Sequence, residues 1–512
     1  MRARRSMAVW TLAAALGCGG SSSHPDAGGD GDFTLAVAPE ELAIARGQST
    51  AATITIERTG AVGEVELAAV GLPPGVSAAF DVNPVPAAVA SVELTISVAA
   101  SAEPGSSELT ISGTAGDLER TAALAFTAQN MTVSGRLRYE REGITVVLVG
   151  KTPQLTGPGG TFTFTDVVPP YDLYTVAQTS SDHPGVIYYR GLTRPDPVVE
   201  AVSPPVGLPH ETATVTGEVT GGGSLENPIA LIWSEAAGET SAVGEDGTYS
   251  MTVSWRGGAS ASGTVYGLQW TTGASGAPES YTGYGEAALT VTAGGTHQAP
   301  IALSPPETAQ LTGTITPPEG LPDPVLTLSH QFGSNSHELW TATTTSAEAT
   351  IPRVPSGGSV LHAHSGGGEL GSSSFVRPGL TGDTDVSVDM VPPPVPLQPP
   401  DEARGVDVTT PFAVEAAGPA VCTFRILSER VDYIVVTAGS EVTIPDVPER
   451  PLPPREPFTW TVECTGPLET TDEVTGPDPA WVVPGTASGP MRYRIQRYGG
   501  RFLSDIPPPP EP

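Results

Sequence analysis

The sequence has a single lysine, Lys151, and three cysteines, and beyond residues 7–16 no apolar run approaches the roughly 20 residues that a spanning helix needs. With so little positive charge the formal net charge is −32. A surface this acidic repels nucleic acid and anionic lipid headgroups, so nucleic acid is excluded as a partner. Uninterrupted helix-length stretches are also scarce, because 60 glycines and 53 prolines are scattered through the chain. What remains is short period-two alternation, as at Ile54 and Ile56, at Val92, Leu94, Ile96 and Val98, and at Tyr249, Met251, Val253 and Trp255. Many short strands parted by turn residues predict an all-β chain of tandem antiparallel β-sandwich domains, about five of them, joined by short Pro/Gly linkers.

The first residues carry Arg2, Arg4 and Arg5, then an apolar run from Met7 to Leu16, then Gly17-Cys18-Gly19-Gly20. That is the layout of an export signal, with a charged n-region, a short h-region and a small-residue cleavage site. It resembles the bacterial lipoprotein signal. The resemblance implies removal of residues 1–17 and lipidation of Cys18, with Ala15 where that family has leucine. Cleavage by the general signal peptidase is the alternative, and both routes export the chain. Residues 18–32, rich in Ser, Gly and Asp, read as a flexible acidic tether. The expected location is the outer membrane or cell surface through the lipid, or else the periplasm or the exterior.

Residues 33–128 form the first predicted unit. Gly71-Leu72-Pro73-Pro74-Gly75-Val76 after an alternating strand, and Pro104-Gly105 before Glu108-Leu109-Thr110-Ile111, resemble bacterial immunoglobulin-like domains. Three later units open alike, with Thr132-Val133-Ser134-Gly135, Thr214-Val215-Thr216-Gly217 and Gln310-Leu311-Thr312-Gly313. A spacing of roughly 80 to 100 residues suits independent domains rather than a solenoid. A second signature follows each opening: Gly160-Thr161-Phe162 in the first, Gly247-Thr248-Tyr249 in the second and a weaker Ala349-Thr350-Ile351 in the third. Residues 130–205, 210–304 and 307–391 thus resemble the carboxypeptidase regulatory-like domain, a transthyretin-like sandwich, and the third copy is degenerate. The resemblance implies a non-catalytic accessory module. A proline-rich linker from Val391 opens residues 392–503, where Cys422-Thr423-Phe424-Arg425-Ile426 and Phe458-Thr459-Trp460-Thr461-Val462-Glu463-Cys464 resemble a fibronectin type III-like sandwich. Residues 504–512 read as a disordered proline-rich tail.

With Cys18 assigned to lipid, Cys422 and Cys464 remain. Cys422 shares strand parity with Phe424 and Ile426, and Cys464 with Trp460 and Val462, so both face one core and a disulfide is predicted.

No complete catalytic set is legible, so the chain is expected not to be an enzyme, and no cofactor is expected. Gly150-Lys151-Thr152 lacks the earlier glycine of a phosphate loop, and Gly283-Tyr284-Gly285 precedes no helix. His362 and His364, two apart on a strand, point the same way and are weak metal candidates together with His330 or His337. In the aromatic-rich second repeat, Tyr249, Trp255, Tyr266 and Trp270 have core phase. Tyr281 and Tyr284, in what reads as a Gly-rich loop, are the candidate ligand-binding residues, with a surface glycan as partner. The leading expectation is a lipid-anchored structural or adhesive envelope protein that contacts the membrane through its lipid and possesses surfaces for a glycan or an envelope protein. A carbohydrate-binding lipoprotein is the alternative.

Overall fold

The structure is a computed structural model, and it describes residues 31–178, 184–202, 210–235, 238–240, 242–256, 258–448, 450–477 and 492–504. The signal, Cys18, nearly all of the tether and the proline-rich tail lie outside the described residues. The described elements are strands apart from three short 3-10 turns, and no described helix is long and apolar enough to cross a membrane. Two compact units emerge, the first made of residues up to 44, 49–98 and 102–128, and the second of 45–48, 99–101 and residues from 129 onward.

The first unit is a sandwich of two four-stranded sheets, antiparallel except where the edge strand Glu41–Ala45 runs parallel to Leu118–Gln129. One has the order Asp32–Ala38, Ser49–Thr59, Ser91–Val98, Val76–Phe80, and the other Glu41–Ala45, Leu118–Gln129, Gly105–Ala115, Glu66–Val70. Alternation sets the inward face: Ile54 and Ile56 meet Leu94, Ile96, Leu109, Ile111 and Phe126 in one core. Each such side chain contributes about 1.5 to 3 kcal/mol by leaving water.

In the second unit the three repeats share one pairing scheme. The opening strand (Met131–Leu137, His210–Gly221, Glu307–Thr312) runs antiparallel to Thr161–Val167, Thr248–Arg256 or Ala349–Arg353, and parallel to a short closing strand at Val198–Val199, Thr296–Gln298 or Thr384–Asp385. The opposing sheet in each holds three antiparallel strands, with the chain crossing to the first sheet between the first and second of them. It comprises Thr145–Leu148, Tyr171–Gln178 and Pro184–Leu192 in the first repeat, Ile229–Trp233, Ser260–Thr272 and Pro278–Thr292 in the second, and Val325–Phe332, Ser359–Gly366 and Ser372–Leu380 in the third.

This scheme joins the two sequence signatures into one contact. Gly135 lies opposite Phe162, and Gly217 opposite Tyr249. A Cβ at Gly217 would sit 2.7 Å from the Tyr249 ring and closer still to the Ala299 carbonyl, and one at Gly135 would meet the Phe162 ring and stand 2.6 Å from the Pro197 carbonyl oxygen. Glycine is therefore required for the aromatic ring to lie across the strand while the parallel strand packs alongside. In the third repeat Ala347, whose N–H donates to the Gly313 carbonyl, stands where the ring would be.

The last sandwich sets Val395–Gln398, Pro411–Glu415 and Glu441–Thr443 against Asp432–Thr437, Val421–Leu427, Pro457–Gly466 and Arg492–Ser504. Its large sheet is not closed off. Asp432–Thr437 pairs in parallel with Pro184–Leu192 of the first repeat, and Arg492–Ser504 pairs antiparallel with Ser372–Leu380 of the third. A single 13-stranded sheet results, so the last sandwich is joined sideways to the first and third repeats and lies in the middle.

The residues at the first seam explain why. Val186, Ile187, Tyr188 and Tyr189 form a continuous apolar run, as do Tyr433, Ile434, Val435 and Val436, and such runs suit strands covered on both faces. Val186, Tyr188, Tyr433 and Val435 join the core of the last sandwich, while Ile187, Tyr189 and Val436 join that of the first repeat. The seam is also latched by Asp472, whose carboxylate accepts from the Thr193 N–H at 3.0 Å, the Arg194 N–H at 3.2 Å and the Thr193 hydroxyl. The second repeat attaches likewise, since Ile229–Trp233 is buried along its whole length: Leu231 and Trp233 face their own core, and Ala230 and Ile232 face the core shared with Leu326, Leu328 and Phe332.

Cys422 lies directly opposite Cys464 on neighbouring strands with Cα atoms 4.0 Å apart, and the two form a disulfide. Both point inward with Phe424, Ile426, Trp460 and Val462, as their parity predicts.

Candidate functional site

The histidine pair stands on Ser359–Gly366, where Leu361 and Ala363 turn into the core and His362 and His364 turn outward, both partly exposed. Their ring centroids are 6.5 Å apart, and His364 Nδ1 lies 2.8 Å from the Ser374 hydroxyl on the next strand. His330 and His337 do not join them. His330 is fully buried against Phe332, with its Nδ1 3.0 Å from the Ser359 hydroxyl, and burial lowers its pKa to about 4. His337 Nδ1 instead meets the Glu239 carboxylate at 2.6 Å beside Trp270. The weak metal candidates His362 and His364 are thus joined by neither His330 nor His337. Among the described residues no group of three or more His, Cys, Asp or Glu side chains is placed to hold an ion.

What surrounds the pair is cationic. Register carries His362 across Val376 to Arg492, and His364 across Ser374 to Arg494. Arg494 Nε bonds the Glu463 carboxylate at 3.3 Å, and Arg492 donates to the Pro467 carbonyl at 3.1 Å. The His362 pKa lies below the ordinary histidine value, first through burial and then through the charges of His364 and Arg494. The two arginines were missed in the sequence. Their spacing of two in Arg492-Tyr493-Arg494-Ile495 marks one face of a strand, but nothing local shows which strand lies beside it.

The tyrosine expectation is corrected. Tyr281 and Tyr284 lie on the fifteen-residue strand Pro278–Thr292, not in a loop. Tyr281 is 4% exposed, its hydroxyl donates to the Thr350 carbonyl at 3.1 Å, and burial pushes its phenol pKa up. Tyr284 is half-buried, with its hydroxyl 3.0 Å from the Glu286 carboxylate and its pKa raised chiefly by burial. The misleading signal came from Gly283 and Gly285. A Cβ at Gly283 would lie 2.7 Å from Leu303 Cβ, and one at Gly285 would strike the Ala302 carbonyl, so these glycines admit a crossing strand rather than form a loop.

Elsewhere, Lys151 sits in a turn with its ammonium donating to the Asp166 carbonyl at 2.8 Å, which is not phosphate-loop geometry. A depression of about 330 Å³ lies beside the disulfide, lined by Leu397, Val414, Ala420, Cys422, Ala438 and Ser440.

No protein-family model matches the chain, and no curated protein matches it in sequence. Solved structures similar to parts of it include the Bacillus anthracis TIE protein, 10% identical over 71% of this chain and 75% of that one, with a TM-score of 0.21. Domains 5–6 of the S-layer protein SbsC are 10% identical over 52% of this chain and 99% of theirs, at a TM-score of 0.16. The D1–D4 ectodomain fragment of ICAM-5 is 11% identical over 86% of this chain and 96% of that one, at 0.15. Likeness at this level carries no argument about arrangement or function.

Proposed function

We propose that this chain is an exported, lipid-anchored envelope protein with a structural or adhesive role and no catalytic step of its own. The observation that carries the reading is the 13-stranded sheet, which fuses the last sandwich to the first and third repeats. A body fused in this way resists bending between its parts and can hold a surface in fixed orientation, which a flexible string of domains cannot. The Cys422–Cys464 disulfide fits an oxidising compartment. His330, His337 and His364 support the non-catalytic reading, because they are engaged by three different neighbours, Ser359, Glu239 and Ser374. In this proposal the immunoglobulin-like, carboxypeptidase regulatory-like and fibronectin type III-like resemblances are those of accessory modules, and Cys18 carries the lipid.

Intact-mass spectrometry of the protein extracted from native membranes, with and without reduction, tests the reading. The expected result is a chain beginning at a lipidated Cys18 that gains two protons on reduction. An unlipidated N-terminus in the soluble fraction would overturn the anchored role.

A further inference from the structure

The outward face of the large sheet around His362, His364, Arg492 and Arg494 is chemically unlike the rest of this acidic chain. Its rows come from four adjacent strands, Val325–Phe332, Ser359–Gly366, Ser372–Leu380 and Arg492–Ser504. One row reads Thr327, His362, Val376, Arg492, and the next reads Val325, His364, Ser374, Arg494. Residues two apart on a strand are separated by about 7 Å, and two strand spacings span about 10 Å, so the four nitrogen-bearing side chains mark the corners of a nearly flat rectangle of that size. Hydroxyls fill the positions around them, with Thr327 facing Thr341 at 3.3 Å and Ser374 bonded to His364. Val325, 42% exposed, and the partly exposed Val376 add small apolar patches. The carboxylate bonded within this face is Glu463, on Arg494.

We propose that this face binds an anionic polysaccharide. Arg492 offers guanidinium donors to acidic groups beyond the one given to Pro467, Arg494 lies beside it paired with Glu463, the histidine N–H groups and the Ser and Thr hydroxyls suit sugar hydroxyls, and the valines suit the C–H surface of a sugar ring. The flatness matches an extended chain rather than a small molecule, which would call for a concave pocket. Charge complementarity sets the class of ligand. The face carries cationic groups in a chain of net charge −32, so the remainder repels a polyanion and confines it to these rows. The site differs from the two tyrosines considered above. It gives the adhesive reading a ligand and rests on that reading only for its setting, because the assay uses purified chain and a missing lipid cannot imitate its failure.

The test is binding of the full purified chain to polygalacturonate, to dextran sulfate and to neutral dextran at low salt. Binding to one or both acidic polymers, none to neutral dextran and loss as salt is raised are expected. The double variant Arg492→Gln with Arg494→Gln should weaken binding about tenfold or more, and His362→Gln with His364→Gln should weaken it by a smaller factor. Arg353→Gln, a half-exposed arginine on the separate strand Ala349–Arg353, should leave it unchanged. Unaltered thermal unfolding of the variants excludes misfolding as the cause. No binding to either acidic polymer, equal loss with Arg353→Gln, or equally tight binding of a single-stranded DNA oligomer would overturn the proposal.

Discussion

Gly217→Ala isolates the contact on which the second repeat closes. The backbone there is not in the left-handed region, so the substitution adds a methyl group without imposing strain on φ. That methyl would fall 2.7 Å from the Tyr249 ring and nearer still to the Ala299 carbonyl. Neither neighbour yields easily. Tyr249 is 5% exposed and its hydroxyl bonds that same carbonyl, while Ala299 follows the short parallel strand Thr296–Gln298. Overpacking costs about 1 to 3 kcal/mol, and the stiffer unfolded chain returns about 0.4 to 1 kcal/mol. A net loss of about 1 to 2 kcal/mol is therefore expected, or about a tenfold rise in local opening. Because a multidomain chain need not unfold in one step, hydrogen exchange of the intact protein is the suitable assay. Protection should fall in Thr248–Arg256 and Thr296–Gln298. Gly382→Ala, where the added atom meets nothing within 4 Å and φ is unexceptional, is the control. Equal protection in the two variants would refute the claim that the two sequence signatures are one steric contact.

Three other perturbations follow from the same geometry. Replacing Cys422 and Cys464 with alanine opens a loop whose ends are 42 residues apart, which in the chain-entropy account costs about 4 kcal/mol; scanning calorimetry should show the last sandwich melting earlier, and two titratable thiols in the unreduced native protein would disprove the bridge. Asp472→Ala leaves the Thr193 and Arg194 N–H groups without their acceptor and should cost about 1 to 3 kcal/mol, read as faster exchange along Pro184–Leu192; unchanged exchange there would show that the latch is idle. For His330 the folded pKa, about 4, lies below the ordinary 6.5. The unfolded chain therefore takes up the proton first, stability is full above pH 6.5, and it is lost as pH falls toward 4, by about 3 kcal/mol in all. His330→Leu should flatten urea midpoints across that window, and a profile as steep as the parent's would refute the assignment.

Fold class was legible because alternation is local: Tyr249, Met251 and Val253 announce their strand without help from distant residues. The disulfide was legible for the same reason, since strand parity turns both cysteines toward one core. The strands Glu41–Ala45 and Val76–Phe80 were not foreseen, being short and edge-placed with alanine at several positions. The sideways joining of the sandwiches was hidden more deeply. The apolar run through Val186, Ile187, Tyr188 and Tyr189 says that both faces are covered, but not that the partner strand begins at Asp432. Tyr281 was misplaced because glycine has two uses, and in a sequence the glycine that frees a loop looks like the one that admits a crossing strand. The cationic face could not be assembled either, since its histidines and arginines meet only through the register of Ser372–Leu380.

That register bears on how the second unit comes together. The strand Pro184–Leu192 has apolar side chains on both faces and, without Asp432–Thr437, an open hydrogen-bonding edge; Ser372–Leu380 has an open edge without Arg492–Ser504. Edges of this kind recruit foreign strands. Both are covered by the last sandwich, which is the last part of this unit to be synthesised and must close over strands made much earlier. Loop closure over such separations grows only slowly with length, so the cost lies less in final stability than in the time the edges stay open. Before closure the first and third repeats are sandwiches with one open edge, and afterwards those edge strands lie in the interior of a single sheet. The arrangement that gives the unit its rigidity therefore makes its fold depend on the last sandwich, and truncating the chain before Asp432 should yield aggregation, seen by light scattering, rather than a smaller soluble protein. A soluble, protected fragment ending at residue 391 would show instead that the repeats close by themselves, and that their joining is an addition to folds already complete.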